Sequence, residues 1–309
     1  MKILLTGASG FLGNYLVKGI VKYNHELITL GRSSSNDFIC DLSYKVPKFK
    51  KKSIEVVIHA AGKAHCFDKN KKNQLDFEHV NVNGTKNILK ALDNQLETIS
   101  HFVFISSVSV YGLNTGIMID ENHPLLGSSD YAKSKIKAEK IVSNWGIKHN
   151  VPILILRLPL LIGSNPKGNL KRMIDGIKKR RYFSIGGGRA KKSMVLASDV
   201  VNFIYSNHKT NGVYNLTDGV THEIRDLEDK IGNHFNVKIY NLPISIAKKL
   251  TIFHKFFTKF PLSTDTLSKI TSDLTFSELK VKNKLNWSPK DSIKYFEIEK
   301  QNNSPYDRH

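Results

Sequence analysis

The sequence predicts an α/β protein: a doubly wound parallel sheet with a smaller, mixed C-terminal region. Three observations carry that expectation. Short apolar runs alternate with segments of helical periodicity over residues 1–160, the pattern of parallel strands joined by crossover helices. The first run, Met1 to Leu5, leads directly into Thr6-Gly7-Ala8-Ser9-Gly10-Phe11-Leu12-Gly13 and then a helical stretch from Asn14. After residue 160 the alternation lapses into loops rich in Gly and Pro. The expected division is therefore 1–160 and 161–309, the second part packed on the first rather than folding separately.

Taken in order, the first strand, glycine turn and helix make an anion site. Glycines spaced Gly-x-x-Gly-x-x-Gly let the backbone approach a ligand, and the helix N-terminus offers unpaired N–H groups with partial positive charge. A dinucleotide diphosphate fits that arrangement. The second strand, His25 to Leu30, is followed by Gly31-Arg32-Ser33-Ser34-Ser35. NAD-binding units close this strand with an acidic residue for the ribose 2′-hydroxyl. A carboxylate would repel a 2′-phosphate, whereas Arg32 and the serines can bind one, which points to NADP(H) with NAD as the alternative.

Ile39-Cys40-Asp41-Leu42 reads as a third short strand whose carboxylate stands where an adenine amino group could be met. Val56-Val57-Ile58-His59-Ala60-Ala61-Gly62 is a buried strand ending in small residues, which leave room for a ligand at the strand's carboxyl end. A helix over 74–92 carries Asn81-Val82-Asn83-Gly84-Thr85, polar residues that either bond to neighbouring loops or form a solvated face. Phe102 to Ile105 delivers Ser106-Ser107-Val108-Ser109-Val110-Tyr111-Gly112. Ser128-Ser129-Asp130 caps a helix that opens Tyr131-Ala132-Lys133-Ser134-Lys135 and runs to about Trp145. Val151 to Leu156 is a buried strand ending in Arg157-Leu158-Pro159.

Beyond 160 the expected elements are a loop over 161–169, a helix from Leu170 to Lys179, and a turn at Gly186–Gly188. Strand 193–196 follows, then Ala197-Ser198-Asp199 capping helix 200–206, strand 212–216, helices 224–236 and 244–260, and a last helix after Pro289. The 244–260 stretch is basic and amphipathic. A core-facing helix is the expectation for it, with an anionic membrane surface as the alternative.

Composition narrows the class. The 309 residues carry a net charge of +20, much of it dispersed lysine, including Lys48 to Lys52, Lys69 to Lys72 and Lys178 to Arg181. Nothing resembles a nucleic-acid module, so solvated surface is the expected reading of that charge and nucleic acid is not an expected partner. Two cysteines, Cys40 and Cys66, make no disulfide framework or metal spacing and point to a reducing cytoplasm. No targeting segment or membrane-spanning run is read. His59 and His65 lack a third ligand, so no metal is expected.

Tyr131 and Lys135 lie four apart on a helix, hence on one face. A nearby ammonium favours a phenolate, so Lys135 is expected to lower the Tyr131 pKa from its usual value of about 10 toward neutrality. The pair could then move a proton on and off a sugar hydroxyl or ketone, with Ser107 bonding the same oxygen.

Together these motifs resemble the extended short-chain dehydrogenase/reductases, in the sugar-nucleotide epimerase/dehydratase family, over nearly the whole chain. The carriers are Thr6-Gly7-x-x-Gly10-x-x-Gly13, Asp41-Leu42, His59-Ala60-Ala61, Asn81 to Thr85, Ser106 to Gly112, Tyr131-x-x-x-Lys135 and Arg157-x-Pro159. The resemblance implies a Rossmann-type domain and a homodimer. It makes Tyr131 the acid/base, Lys135 the residue that tunes it and holds the nicotinamide ribose, and Ser107 the holder of the reacting oxygen. Further cofactor contacts implied are Gly7, Gly10, Phe11, Leu12, Gly13, Arg32, Asp41, Leu42, Ala60, Ala61, Gly62, Asn81, Ser106, Leu158 and Pro159. Lys63, Ser107, Ser109, Tyr131, Asn169 and Lys192 are implied for a nucleotide-sugar substrate. Lys192 replaces an arginine that many members carry, with Arg189 nearby.

Two departures narrow the reaction. Family 4,6-dehydratases place an acidic residue directly after the catalytic Ser or Thr, whereas Val108 and Ser109 follow Ser107 here. Gly31-Arg32 favours an exchangeable NADP(H), which ranks a 4-ketoreductase above a 4-epimerase acting on nucleotide-linked or polyprenyl-diphosphate-linked sugars. Segments 59–65 and 192–195 are similar to those of members acting on N-acetylated hexosamines in surface-polysaccharide pathways. A non-catalytic dinucleotide sensor is disfavoured, because Ser107, Tyr131 and Lys135 are all present.

Overall fold

A computed structural model describes residues 1–49, 53–64, 75–207, 209–256 and 263–299. His65, Cys66, Lys50 to Lys52, Lys69 to Lys72 and the end of the 244–260 stretch lie outside the described residues.

The first half runs β1 (Lys2–Thr6), α1 (Phe11–Lys22), β2 (Glu26–Gly31), β3 (Phe38–Ile39), β4 (Val56–His59), a π-helical turn (Glu78–Asn83), α2 (Gly84–Leu92), β5 (His101–Ser107), β6 (Gly116–Ile119), α3 (Asp130–His149) and β7 (Ile153–Leu158). Then come β8 (Leu160–Ile162), α4 (Gly168–Lys178), β9 (Phe183–Ile185), β10 (Lys191–Lys192), β11 (Met194–Leu196), α5 (Ala197–Ser206) and β12 (Gly212–Asn215). The chain continues through β13 (His222–Glu223), α6 (Ile224–Phe235), β14 (Tyr240–Leu242), α7 (Ile244–Phe256), α8 (Thr264–Thr271), β15 (Leu274–Phe276) and α9 (Leu279–Leu285).

Seven strands form one sheet in the order β3-β2-β1-β4-β5-β7-β12, every pair parallel. Strand order reverses between β1 and β4, where doubly wound sheets open a ligand crevice at the carboxyl ends. Thr6 and His59 stand opposite each other there. Both faces of the sheet are covered, which is why its strands read as continuous apolar runs. Ile3 and Leu5 face Leu16 and Ile20 of α1 with Val200 and Ile204 of α5. Leu4 and Val57 face the opposite layer, with Ile88 and Leu92 of α2 and Val142 and Trp145 of α3.

The two halves interlock through strands. β12 completes the central sheet from beyond residue 160. In return β6 joins β15 in a second sheet, ordered β13-β10-β15-β6. Buried His222 and Asp218, with partly exposed Asp291, tie the C-terminal turn down, His222 Nε2 lying 2.8 Å from Asp218 Oδ2. No helix among the described residues is long and apolar enough to cross a membrane.

Several boundaries differ from the sequence expectation for local reasons. β3 ends at Ile39, and Asp41 instead opens a turn, its Oδ1 accepting the Ser43 N–H at 3.0 Å, a common role for aspartate. α5 begins at Ala197 without a side-chain cap. Asp199 accepts the Lys290 N–H at 2.7 Å, so it anchors a distant loop rather than capping its helix. In place of a last helix, residues 292–295 form a turn, with the Lys294 N–H on Asp291 Oδ1. The Ser129 cap forms as expected, accepting the Ala132 N–H at 3.1 Å.

Beneath the carboxyl ends lies a buried ion pair. Arg157 of β7 forks onto Glu139 of α3, Nε to Oε1 at 3.2 Å and Nη2 to Oε2 at 2.8 Å. Its Nη1 donates to the Tyr111 hydroxyl, which donates to Asn215 Oδ1 on β12. Ser106 Oγ donates to Glu139 as well. Removing one partner leaves a buried charge uncompensated, so Arg157→Met is expected to cost about 3–5 kcal/mol. Urea unfolding of the variant checks this, and a loss under about 1 kcal/mol would show the pair to be dispensable.

Candidate active site

The site is assembled where the turns after β1 and β4 meet. Gly7 adopts φ +80°, and a Cβ there would lie 2.6 Å from the Ala61 backbone nitrogen. A Cβ on Gly13 would fall 2.0 Å from the Gly7 carbonyl oxygen. The two glycines thus allow β1, the start of α1 and the Ala60–Ala61 turn to close on one another. The Gly10 N–H returns to the Gly7 carbonyl at 2.9 Å, leaving the N–H groups of the first turn of α1 facing the crevice. Lys167, from the loop before α4, donates to the Ser9 carbonyl at 2.9 Å and sets a cation beside this turn. Bare backbone, helix terminus and nearby ammonium suit a dinucleotide diphosphate.

A directional hydrogen-bond chain holds the crossing together. The Ala61 N–H donates to Thr6 Oγ1 at 3.2 Å, and Thr6 Oγ1 is 2.7 Å from His59 Nδ1. On the ring's other side His59 Nε2 is 3.1 Å from Thr85 Oγ1, whose own proton goes to the Asn81 carbonyl at 2.6 Å. Thr85 must therefore accept, so His59 carries its proton on Nε2 and accepts from Thr6 on Nδ1. Full burial, aided by the Lys135 charge, pushes the His59 pKa down to about 3. The imidazole is neutral and spans β4, β1 and the π-helical turn. His59 is a strut here, with both ring nitrogens spoken for.

The π-helical turn itself was not legible, though its polar residues do bond to neighbours rather than to solvent. Asn81 Oδ1 accepts the Lys63 N–H at 2.7 Å, while its Nδ2 donates to the Lys63 carbonyl and to Ser134 Oγ. Asn81, expected at the cofactor, is thus committed to clamping the 60–64 loop to α3. Ser106, another expected cofactor contact, turns its hydroxyl into the core toward Glu139. Lys63 pairs with Asp76 at 2.5 Å.

Ser107 and Tyr131 are hydrogen-bonded to each other, and Lys135 lies one turn beyond Tyr131 on α3. Ser107 ends β5 and accepts the Ser109 N–H at 3.2 Å. Tyr131 opens α3, its ring 5.9 Å from that of Phe77. Burial raises the Tyr131 pKa, and a hydrogen bond with Ser107 draws it partly back. Lys135 has no part in that shift, contrary to expectation. Its ammonium donates to the Ile105 carbonyl at 2.5 Å and lies 4.2 Å over the Phe104 ring. Burial holds its pKa down to about 8, with Glu139 one turn further along opposing the loss of charge. The expected phenolate is not set up by the chain in this arrangement.

The outer residues divide. Arg32 is exposed at the end of β2 with no polar partner among the described residues, while Ser33 and Ser35 bond to each other. Leu42 and Leu158 are buried in the core layers on the two sides of the sheet. Asn169 is exposed in the first turn of α4, and Arg189 is exposed after the Gly186–Gly188 turn. Lys192 is otherwise engaged: its ammonium caps the end of α8 through the Lys269 and Ser272 carbonyls, both at 2.8 Å. Lys167 and Glu139 went unread, because a lone loop lysine and a mid-helix glutamate carry no pattern.

The model of the NAD dependent epimerase/dehydratase family matches residues 3–217. An N-acetyl-alpha-D-glucosaminyl-diphospho-ditrans,octacis-undecaprenol 4-epimerase from Escherichia coli O157:H7 is 27% identical over 87% of this chain and 80% of its own length. A UDP-glucose 4-epimerase from Vibrio cholerae is 26% identical over 94% of this chain and 92% of its own. Among solved structures, a UDP-N-acetylglucosamine 4-epimerase from Bacillus cereus superposes with a TM-score of 0.72 at 22% identity, covering 95% and 92% of the two chains.

His59 yields a pH test. Its folded pKa of about 3 lies below its unfolded value of 6.5, so the unfolded state binds the extra proton. The neutral strut therefore costs nothing above 6.5, and stability is lost progressively as pH falls from 6.5 toward 3. His59→Gln, which cannot titrate, is expected to show a flatter fall in urea-unfolding free energy over that window. Parallel slopes for parent and variant would show that His59 is not buried neutral.

Proposed function

The chain belongs to the NAD dependent epimerase/dehydratase family, and from that premise we propose that it inverts C4 of an N-acetylhexosamine carried on a diphosphate. The observation that carries this reading is the hydrogen-bonded pair Ser107 and Tyr131 with Lys135 on the same helix face, at the mouth of the switch-point crevice. When bound, a nicotinamide dinucleotide supplies reversible hydride transfer at that carbon.

The chain's own part is proton movement and positioning. Ser107 and Tyr131 share the C4 oxygen, Tyr131 taking its proton as the alcohol becomes a ketone and returning it in reverse. Burial alone keeps the phenol protonated, so the Lys135 ammonium has to leave the Ile105 carbonyl and supply the charge that stabilises a phenolate. Ser109 Oγ is buried with no partner among the described residues, a polar atom available to a sugar hydroxyl. Val108 and Ser109 offer no carboxylate after Ser107, which disfavours 4,6-elimination. With Lys192 committed to α8, the reading gives the sugar's diphosphate to Asn169, exposed in the first turn of α4.

The relatives' names support epimerisation over the ketoreductase that Gly31-Arg32 favours. Reduction is the second reading, supported by Arg32, which is exposed just after β2 with no polar partner among the described residues and could meet a 2′-phosphate.

Tyr131→Phe removes the proton-transferring oxygen from an otherwise intact site. Turnover is expected to fall roughly 10²–10⁴-fold with dinucleotide affinity unchanged. Near-parental turnover would remove Tyr131 from the chemistry.

The two readings separate in one assay. Offered UDP-N-acetylglucosamine and no added cofactor, the purified chain is expected to form the C4 epimer, detected by anion-exchange chromatography. No epimer in that tube, together with NADPH oxidation on a 4-keto-6-deoxyhexosamine nucleotide, would establish the reductase instead.

A further inference from the structure

The short strands β9 and β14 lie outside the proposed chemistry. They pair in parallel with Phe183 opposite Tyr240 and Ile185 opposite Leu242. Ile185 and Leu242 point inward onto Ala247, Leu250 and Leu267. Phe183 and Tyr240 stand side by side at the entry ends of the two strands, one pleat repeat before Ile185 and Leu242, and are 55% and 62% exposed. In the first turn of α7, which follows β14, Ile244 and Ile246 are 39% and 47% exposed. Two aromatic and two aliphatic side chains are thus left in solvent on adjacent elements, although Phe and Ile are among the residues that gain most from leaving water.

The charge on the same elements is one-signed. Residues 176–198, which contain β9, include seven lysines and arginines and no Asp or Glu. Residues 230–264, which contain β14 and α7, have no acidic residue either. Arg180, Arg181, Lys238, Lys248 and Lys249 are all exposed. Lys238 Nζ lies 5.7 Å from the Tyr240 ring centroid, so cation and aromatic meet on the face itself. A carboxylate packed nearby, Glu228, is buried and accepts the Tyr182 hydroxyl at 2.8 Å.

We propose that this face docks on an anionic membrane surface, with Phe183, Tyr240, Ile244 and Ile246 entering the headgroup layer and the surrounding cations meeting lipid phosphates. Nucleic acid would satisfy the charge but offer no apolar layer to the aliphatic side chains. A bilayer interface satisfies both at once, apolar burial adding to electrostatic attraction. The proposal is independent of the reaction assigned above, and its test does not use turnover.

The full chain is sedimented with phosphatidylcholine vesicles, with and without phosphatidylglycerol, at low and high salt. Binding is expected only with phosphatidylglycerol and is weakened by salt. The Lys248→Gln/Lys249→Gln double variant should bind roughly twenty-fivefold more weakly, at about fivefold per charge near the surface. Phe183→Ser/Ile246→Ser should lose at least about tenfold. Both variants change exposed side chains only, and thermal melting with dinucleotide titration confirms that they are folded. Vesicle binding indifferent to Phe183→Ser/Ile246→Ser would reveal a plain polyanion surface and overturn the proposal. So would polyuridylate binding as tight as vesicle binding, or no binding to any vesicle.

Discussion

Everything in the candidate crevice depends on how closely the turn after β1 approaches the turn after β4. The distances leave no room for a side chain at Gly7, where a Cβ would be 2.6 Å from a backbone nitrogen, or at Gly13. That contact sets the mouth of the switch point and aims the first turn of α1 into it. Its stiffness comes from the chain running from the Ala61 N–H through Thr6, His59 and Thr85 to the Asn81 carbonyl. Every buried polar atom along that path has a partner, which is what makes such a network rigid instead of costly.

A second layer of polar contacts connects this crossing to the residues proposed to handle protons. Asn81 fastens the loop after β4 to Ser134 on α3, the helix that also carries Tyr131 and Lys135. Two turns beyond Tyr131, Glu139 engages Arg157 and Ser106, so the helix is held to β5 and β7 by charge as well as by packing. The same glutamate acts on Lys135 against the desolvation that draws its proton away. Support for the fold and tuning of the site are carried by one carboxylate.

The later part of the chain is organised differently. Lys192, a cation that could have faced a substrate, is drawn to the two carbonyls at the end of α8 because helix ends leave such acceptors unpaired. The cations flanking β9 and β14 and those on α7 remain in solvent on elements that also expose apolar side chains. The net charge of +20 is therefore not spread evenly, since two acid-free segments meet where β9 pairs with β14.

Local periodicity and short spacing encode a definite part of this architecture. The strand–glycine–helix unit, the alternation that forces a parallel sheet, the Ser129 cap and the shared face of Tyr131 and Lys135 all depend on residues a few positions apart. Tertiary structure decided the rest, because it depended on partners far away in the chain. Asp199 is claimed by Lys290 and Lys192 by residues 269 and 272, while His59 is claimed by Thr6 and Thr85. The Tyr131–Lys135 spacing was readable, but the direction of the lysine was not. A desolvated ammonium goes to the nearest good acceptor, and the Ile105 carbonyl occupies that place only once β5 and α3 are packed.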